Sequence, residues 1–256
     1  MKHKSSILRA LTGAILAFGI TAVAPAHAKV TEGDASAYVI KATAFDEPVI
    51  GPAPVASVTG NGTDSEFIGS IKLSDFLVNL ETNLLTAKAS SNVDGSNGPK
   101  TASSSSSIAD VDFNVAQLLG LSFDLISSES SVTGDAGSFS AVGNSSIVNL
   151  QGSGILAGLS DVTITGAPNQ TLLSLYGIEV IANRQTSSCS ATDCFMTTDA
   201  LYIDVLGKAN VVVASSHAHL AAPIPEPETY ALMMMGLAGL VGSKRVRNKM
   251  KPTVTA

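Results

Sequence analysis

The chain has 256 residues and a formal net charge of −6; 45% of it is apolar, 14% charged and 5% aromatic, and it has no Trp. The charge is uneven: residues 1–28 carry three basic and no acidic side chains, residues 223–256 five basic and two acidic, and residues 29–222 the remaining 7 basic and 19 acidic, a net of −12. So acidic a middle offers no footprint for nucleic acid, two cysteines are too few for a zinc cage or a disulfide scaffold, and without a run of 18 apolar residues the middle does not span a membrane.

The N-terminus is an address. Lys2, Lys4 and Arg9 form a basic leader, Leu11–Val23 is apolar, and Ala26-His27-Ala28 is a small-x-small cleavage triplet. This order is that of a secretory signal peptide over residues 1–28, with the mature chain starting at Lys29. Sec-dependent export through the inner membrane and cleavage by signal peptidase are the expected consequences.

Residues 29–222 read as an exported all-β domain. In Ala109–Val115, Ala109, Val111, Phe113 and Val115 alternate with Asp110, Asp112 and Asn114; in Asp161–Thr165, Val162 and Ile164 alternate with Asp161, Thr163 and Thr165. A period of two predicts strands buried on one face. Further strands are expected at Ala37–Phe45, Phe67–Leu73, Ser122–Ile126, Ser146–Leu150, Ile178–Ala182, Ala200–Leu206 and Ala209–Ser215. Gly207-Lys208 suits a two-residue hairpin turn, and Asn61-Gly62 and Asp94-Gly95 are further turn signals. Ser74–Ala89 is compatible with helix or strand, and Val115–Leu121 with one helical turn. Ser90–Ser107 is Ser-rich with almost nothing apolar to bury, which predicts a mobile loop over 90–107. Residues 215–224 are expected to be a linker. Leu119–Ser122 and Ala157–Ser160 share a Gly-Leu-Ser, but two weak copies make no repeat array. One antiparallel two-sheet sandwich over Asp34–Ser215 is the expected architecture, with a β-solenoid as the alternative.

Candidate chemistry is sparse. Cys189 and Cys194 enclose four residues, and export to an oxidising compartment favours a disulfide between them. His217 and His219 would share a face of a strand as two metal ligands; with no third ligand in view, an exposed strand-end pair is preferred. Asp110, Asp112 and Asp124 supply oxygen ligands for calcium, but they lack the Gly and distal Glu of a calcium hand and read better as a solvated strand face. No Gly-x-Ser-x-Gly elbow is present, and the only mature histidines sit in the expected linker before the anchor. No catalytic residue, metal site or cofactor is therefore assigned, and the chain is not expected to be an enzyme.

The C-terminus is the most informative segment. Pro225-Glu226-Pro227 precedes the apolar stretch Ala231–Gly242, followed by Lys244, Arg245, Arg247, Lys249 and Lys251. As a helix the stretch would be roughly 18 Å long, short of a bilayer core of about 30 Å, and the basic cluster after it stays in the cytoplasm. Motif, short Gly-containing helix and basic tail in this order closely resemble the PEP-CTERM sorting signal, here residues 223–256. The resemblance implies a Gram-negative host, transient anchoring in the membrane, processing by an exosortase, and residence at the cell surface or in an exopolysaccharide or biofilm matrix. A second resemblance rests on Asn183-Arg184-Gln185, Ala200–Val205 and Asn210–Ala218, which look like the closing strands of the choice-of-anchor P family. It implies an exported surface domain and no activity. The leading expectation is thus a non-enzymatic surface or matrix protein; the alternative is a surface module that binds polysaccharide or calcium through loops at one end of the sandwich.

Overall fold

The computed structural model describes residues 29–74, 78–115, 119–135, 137–222 and 235–236. The expected signal peptide, sorting motif, apolar helix and basic tail lie outside these residues. The chain divides into two units, Lys29–Pro223 and a second comprising Met1–Ala28 with Ile224–Ala256. Every strand among the described residues belongs to Lys29–Pro223. No helix among the described residues is long and apolar enough to cross a membrane.

Among the described residues of this unit there are fourteen strands and a single 3-10 turn. They are β1 (Glu32–Ala44), β2 (Glu47–Thr59), β3 (Asn61–Ile68), β4 (Ile71–Ser74), β5 (Val78–Thr82), β6 (Leu84–Asn92), β7 (Lys100–Val115), β8 (Leu119–Asp135), β9 (Ser138–Val148), β10 (Gln151–Gly154), the 3-10 turn Ala157–Asp161, β11 (Gln170–Leu175), β12 (Ile178–Cys189), β13 (Asp193–Val205) and β14 (Ala209–Ala221). One sheet has six strands in the order β11-β12-β13-β14-β1-β2. The other has eight, built on β7 and β8: β7 pairs with β6 along one half and β5 along the other, and β8 likewise with β9 and β10. Every pair among the described residues is antiparallel and neither sheet closes into a barrel, which excludes the parallel coils of a solenoid.

The serine-rich stretch is a strand, not a loop. Ser103, Ser105 and Ser107 of β7 face outward while Ser104 and Ser106 are buried. Low hydrophobicity predicts disorder only when inward hydroxyls find no partners. Here Ser106 Oγ lies 2.9 Å from Ser128 Oγ, and Ser104 donates to the His217 carbonyl at 2.8 Å. Only residues 93–99 of the expected loop remain irregular. Even these are tied down, because buried Lys100 bonds Asp94 and Ser96. Bonds from Lys100 and Ser96 hold the Asp94 carboxyl well below the ordinary carboxylate range.

The expected phase of Ala109–Val115 holds only in part. Val111 and Phe113 face the core, yet on the other side of Asp110 it is Ile108, Ser106 and Ser104 that turn inward. Asp110 has φ 51°, and a left-handed residue exchanges the two faces of a strand at that point. A line of ladder breaks crosses each sheet, left-handed at Asp110, Asn149, Asn183 and Ala214. In the eight-stranded sheet, Asn83 interrupts β5 and β6, Asp110 and Asp124 drop out of the β7–β8 ladder, and Asn149 (φ 55°) interrupts β9 and β10. In the six-stranded sheet Asn183 (φ 51°) and Ala214 (φ 53°) do the same while the register on either side is kept. Asn and Asp tolerate this backbone better than most residues, which is why they dominate the line.

Other expectations are corrected. Asp161–Thr165 is no strand: the chain leaves the 3-10 turn and runs irregularly, Val162 and Ile164 packing on the core from a loop. Asn61-Gly62 lies inside β3, and the turn before it is made by Gly60 at φ 78°. The β13–β14 turn is centred one residue earlier than expected, on Leu206 and Gly207, closed by Lys208 N–H to the Val205 carbonyl at 3.0 Å. Residues 215–221 belong to β14, a central strand, and are not a linker. The described part of Ser74–Ala89 is largely strand, the end of β4, β5 and most of β6, while residues 75–77 and part of Val115–Leu121 lie outside the described residues.

The core changes character along the strands. Towards the β13–β14 turn it is bulky: Ile40, Val213 and Ile203 meet Val111, Phe123 and Leu121. Towards the chain ends it is small and hydroxylated, Ala35, Ala37, Ser216 and Ala218 lying opposite Ser104, Ser128 and Ser130. Among the described residues no buried side-chain nitrogen or oxygen lacks a partner.

Candidate functional site

The outward face of β14 and its neighbours β1 and β13 gathers most of the domain's polar chemistry. His217 and His219 do share a face, as their spacing requires on a strand. Because β14 is central, register places Ser36 and Thr197 beside His217, and Asp34 and Phe195 beside His219. His219 bridges two carboxylates, its Nδ1 2.8 Å from Asp34 Oδ1 and its Nε2 2.9 Å from Asp193 Oδ2. Burial pulls its pKa down, but the hydrogen bonds and charges of Asp193 and Asp34 outweigh that and raise it above 6.5. With a carboxylate at each nitrogen, the ring is a clamp joining β1 to β13 across β14, tightest when it is protonated. His217 is shifted the other way: burial lowers its pKa, Asp34 opposes and His219 reinforces the fall.

His217 Nδ1 lies 2.8 Å from Thr197 Oγ1 and its Nε2 3.6 Å from Asp34 Oδ2. Hydroxyl, imidazole and carboxylate thus stand in the order of a nucleophile relay. The surroundings do not complete it: Thr197 is laddered to Thr186 on one side and His217 on the other, so the neighbouring backbone is committed to the sheet rather than to an oxyanion. What this arrangement can do is bind three strands together and respond to pH. Among the described residues no group of three His, Cys, Asp or Glu is placed to hold a metal ion.

Beside the histidines lies a second cluster. Asp199 is buried on the same face, accepts Ser215 Oγ–H at 2.6 Å on one oxygen, and takes two donors of the Arg184 guanidinium on the other, Nε at 2.9 Å. The guanidinium stacks 3.6 Å above the Tyr202 ring. Tyr38 covers the pair, its pKa raised mainly by burial and further by Asp199, against the pull of Ser215 and Arg184. Sequence reading missed the pairing of Arg184 with Asp199. One signal could have found it: Arg184 is the only arginine between residues 29 and 222, and a guanidinium in an exported sheet invites a carboxylate partner.

Cys189 and Cys194 face each other across the β12–β13 hairpin and are disulfide-bonded, their Cα atoms 4.0 Å apart. The bridge staples the hairpin end at which the chain leaves: Ala222 N–H donates to the Thr192 carbonyl at 2.8 Å. Asp110 and Asp124 each accept an asparagine amide, from Asn83 and Asn149, while Asp112 sits opposite Glu81 and Ser122. Of the processing residues, Lys29 is the first described, whereas Ala26, Ala28, Pro225, Glu226 and Pro227 lie outside the described residues. The outer face of the eight-stranded sheet is a field of hydroxyls with shallow grooves of about 440 and 330 Å³, both edged by Lys88, Ser105 and Glu129.

Comparison with known proteins bears on the C-terminus. Residues 223–246 match the family described as the PEP-CTERM protein-sorting motif. No curated protein matches the chain. Among solved structures it is similar to Ail, the attachment invasion locus protein of Yersinia pestis, at 6% identity over 76% of this chain and 98% of that one; with a TM-score of 0.18 the likeness has no bearing on fold or function. The sorting motif marks an exported, cell-surface protein and implies an exosortase as its partner.

Proposed function

We propose that this chain is a non-enzymatic protein of the outer surface or extracellular polymer layer of a Gram-negative bacterium, delivered by two disposable addresses. The observation that carries the reading is the PEP-CTERM motif at residues 223–246, which follows the last strand of the β-domain in sequence. Residues 1–28 direct Sec-dependent export and are removed by signal peptidase after Ala28. The C-terminal apolar helix then holds the protein in the membrane until an exosortase acts near Pro225-Glu226-Pro227. Its likeness to the choice-of-anchor P family supports the same surface role.

The two addresses join the domain at one place. Thr31 N–H donates to the Ala221 carbonyl at 3.0 Å, so entry and exit lie side by side. A domain with both ends at one pole is readily presented on a tether. Its acidic, hydroxyl-rich surface and single short disulfide suit an oxidising, hydrated polymer layer.

Intact mass of the protein recovered from the host surface tests the reading. The expected mass runs from Lys29 to a terminus near Pro225, plus any attached group, and deletion of residues 223–256 is expected to abolish surface sorting. A mass that retains the tail, or unchanged delivery of the truncated chain, overturns it.

A further inference from the structure

The pole opposite the chain exits carries three adjoining hairpin tips. β1 turns into β2 at Phe45–Asp46, β13 into β14 at Leu206–Lys208, and β11 into β12 at Tyr176–Gly177. They are coupled backbone to backbone: Phe45 N–H donates to the Lys208 carbonyl and Leu206 N–H to the Gly177 carbonyl, both at 2.6 Å. Each tip projects one bulky side chain into solvent, Phe45 77%, Leu206 68% and Tyr176 83% exposed. Each of these residues also has positive φ, at 52°, 57° and 52°.

The positive φ values are what tight hairpin turns require, since Asp46, Gly207 and Gly177 beside them are left-handed too; the bulky exposed side chains are not. Asn or Gly meets that backbone requirement without steric penalty, so the turn does not call for a bulky residue at any of the three positions. Solvent-exposed phenyl, phenol and isobutyl groups add nothing to the core. Neighbouring tips are two strands apart, about 10 Å, giving a line of about 20 Å from Phe45 to Tyr176. An extended β-linked glycan repeats every two sugars over a similar distance.

Charge narrows the partner. Within two residues of the tips, Asp46, Glu47, Asp204 and Glu179 outnumber Lys208. Such a rim repels an anionic lipid surface, an acidic polymer and a second copy of itself. Towards a neutral sugar it is an asset, since carboxylates accept hydroxyl donors while ring faces cover the apolar C–H faces. Position agrees: β14 runs from the tips at Ala209 to the exit at Ala221, about 40 Å, so the tips stand at the pole of the β-domain opposite its exit.

We propose that Phe45, Leu206 and Tyr176 form a contact site for a neutral, extended polysaccharide. Surface display, as proposed above, would bring the site to such a polymer; binding itself belongs to the β-domain.

The test is affinity electrophoresis of the intact chain in native gels cast with hydroxyethyl cellulose, laminarin or galactomannan, beside alginate gels and flotation with phosphatidylcholine vesicles. The expected result is retardation by at least one neutral polymer, with an apparent Kd at least tenfold weaker for F45G/L206G/Y176G. Because glycine relaxes the positive φ angles, that variant is expected to keep its circular dichroism spectrum and a Tm no lower than the parent's. Absence of retardation in all three neutral gels, equal retardation of the variant, or binding confined to alginate or vesicles each overturns the proposal. Sorting is read separately by mass, so a correctly processed protein that ignores glycans sinks the tip site and leaves the surface reading standing.

Discussion

The two halves of the sandwich interior are held together by different means. Near the hairpin tips, Ile40, Val213 and Ile203 pack on Val111, Phe123 and Leu121, and cohesion comes from apolar area removed from water. Near the chain exits Ser, Thr and Ala stand among Val132, Met196 and Leu220, and the sheets also touch through hydroxyls: Ser130 donates to Thr198 Oγ1 at 2.9 Å and lies 3.0 Å from both the carbonyl and the hydroxyl of Ser216. A buried methylene contributes about 0.8 kcal/mol and a satisfied hydrogen bond about 1 kcal/mol net, so a hydroxyl core can compete with an apolar one. The conditions differ. Apolar packing tolerates small shifts of shape, whereas a buried hydroxyl helps only while its partner is present. The hydroxyl half thereby fixes the offset of the two sheets, and it does so beside the exits and the disulfide.

Truncation in the apolar half should have the largest effect. Phe123 is buried, and Phe123→Ala is expected to cost about 3–5 kcal/mol, measured by denaturant unfolding. A loss below about 1 kcal/mol would mean that this half is loosely packed and the contrast false.

The hydroxyl half should answer to pairing rather than to size. Ser106→Ala or Ser128→Ala alone strands one buried hydroxyl and is expected to cost about 1–2 kcal/mol, whereas the double variant should cost less than the sum of the two. The Ser106–Ser128 double-mutant cycle reads this directly. Strict additivity would show that the bond contributes nothing.

The smallest effect belongs to the outer face. His219, raised above the ordinary histidine value of 6.5, lends stability that is fully present below 6.5 and lost as pH rises through its folded value. His217, lowered from 6.5, lends stability that is present above 6.5 and lost as pH falls through its folded value. With Asp34, Asp193 and Thr197 facing the pair, the Tm is expected to peak near 6.5. His219→Gln should flatten the alkaline side and His217→Gln the slope just below the peak. A Tm profile unaltered by either variant would mean that the clamp does not couple to folding.

Much of the all-β character is legible in the sequence, since Tyr38–Ile40, Ile178–Ala182 and Ala200–Val205 carry enough Val, Ile and Tyr to declare themselves strands. The serine strand does not. Ser103–Ser107 reads as disorder because the residues that satisfy its inward hydroxyls are distant in sequence, His217 lying 113 residues from Ser104. The site behaves alike. His217 and His219 announce a shared face, but nothing local announces Asp34, 185 residues from His219. The phase of Ala109–Val115 goes half wrong because one left-handed residue, Asp110, exchanges the faces of β7.

By itself the sequence determined the C-terminal sorting motif and the disulfide pairing, since a short motif and a four-residue gap are both local features of the chain. It also determined the strand class, since period-two patterning is a local property of the backbone. The tertiary structure alone decided which serines are core, which carboxylates hold the histidines, that Arg184 meets Asp199, and that three bulky hairpin tips stand in one line. Each of these depends on strand order and register, set by long-range pairing across two sheets.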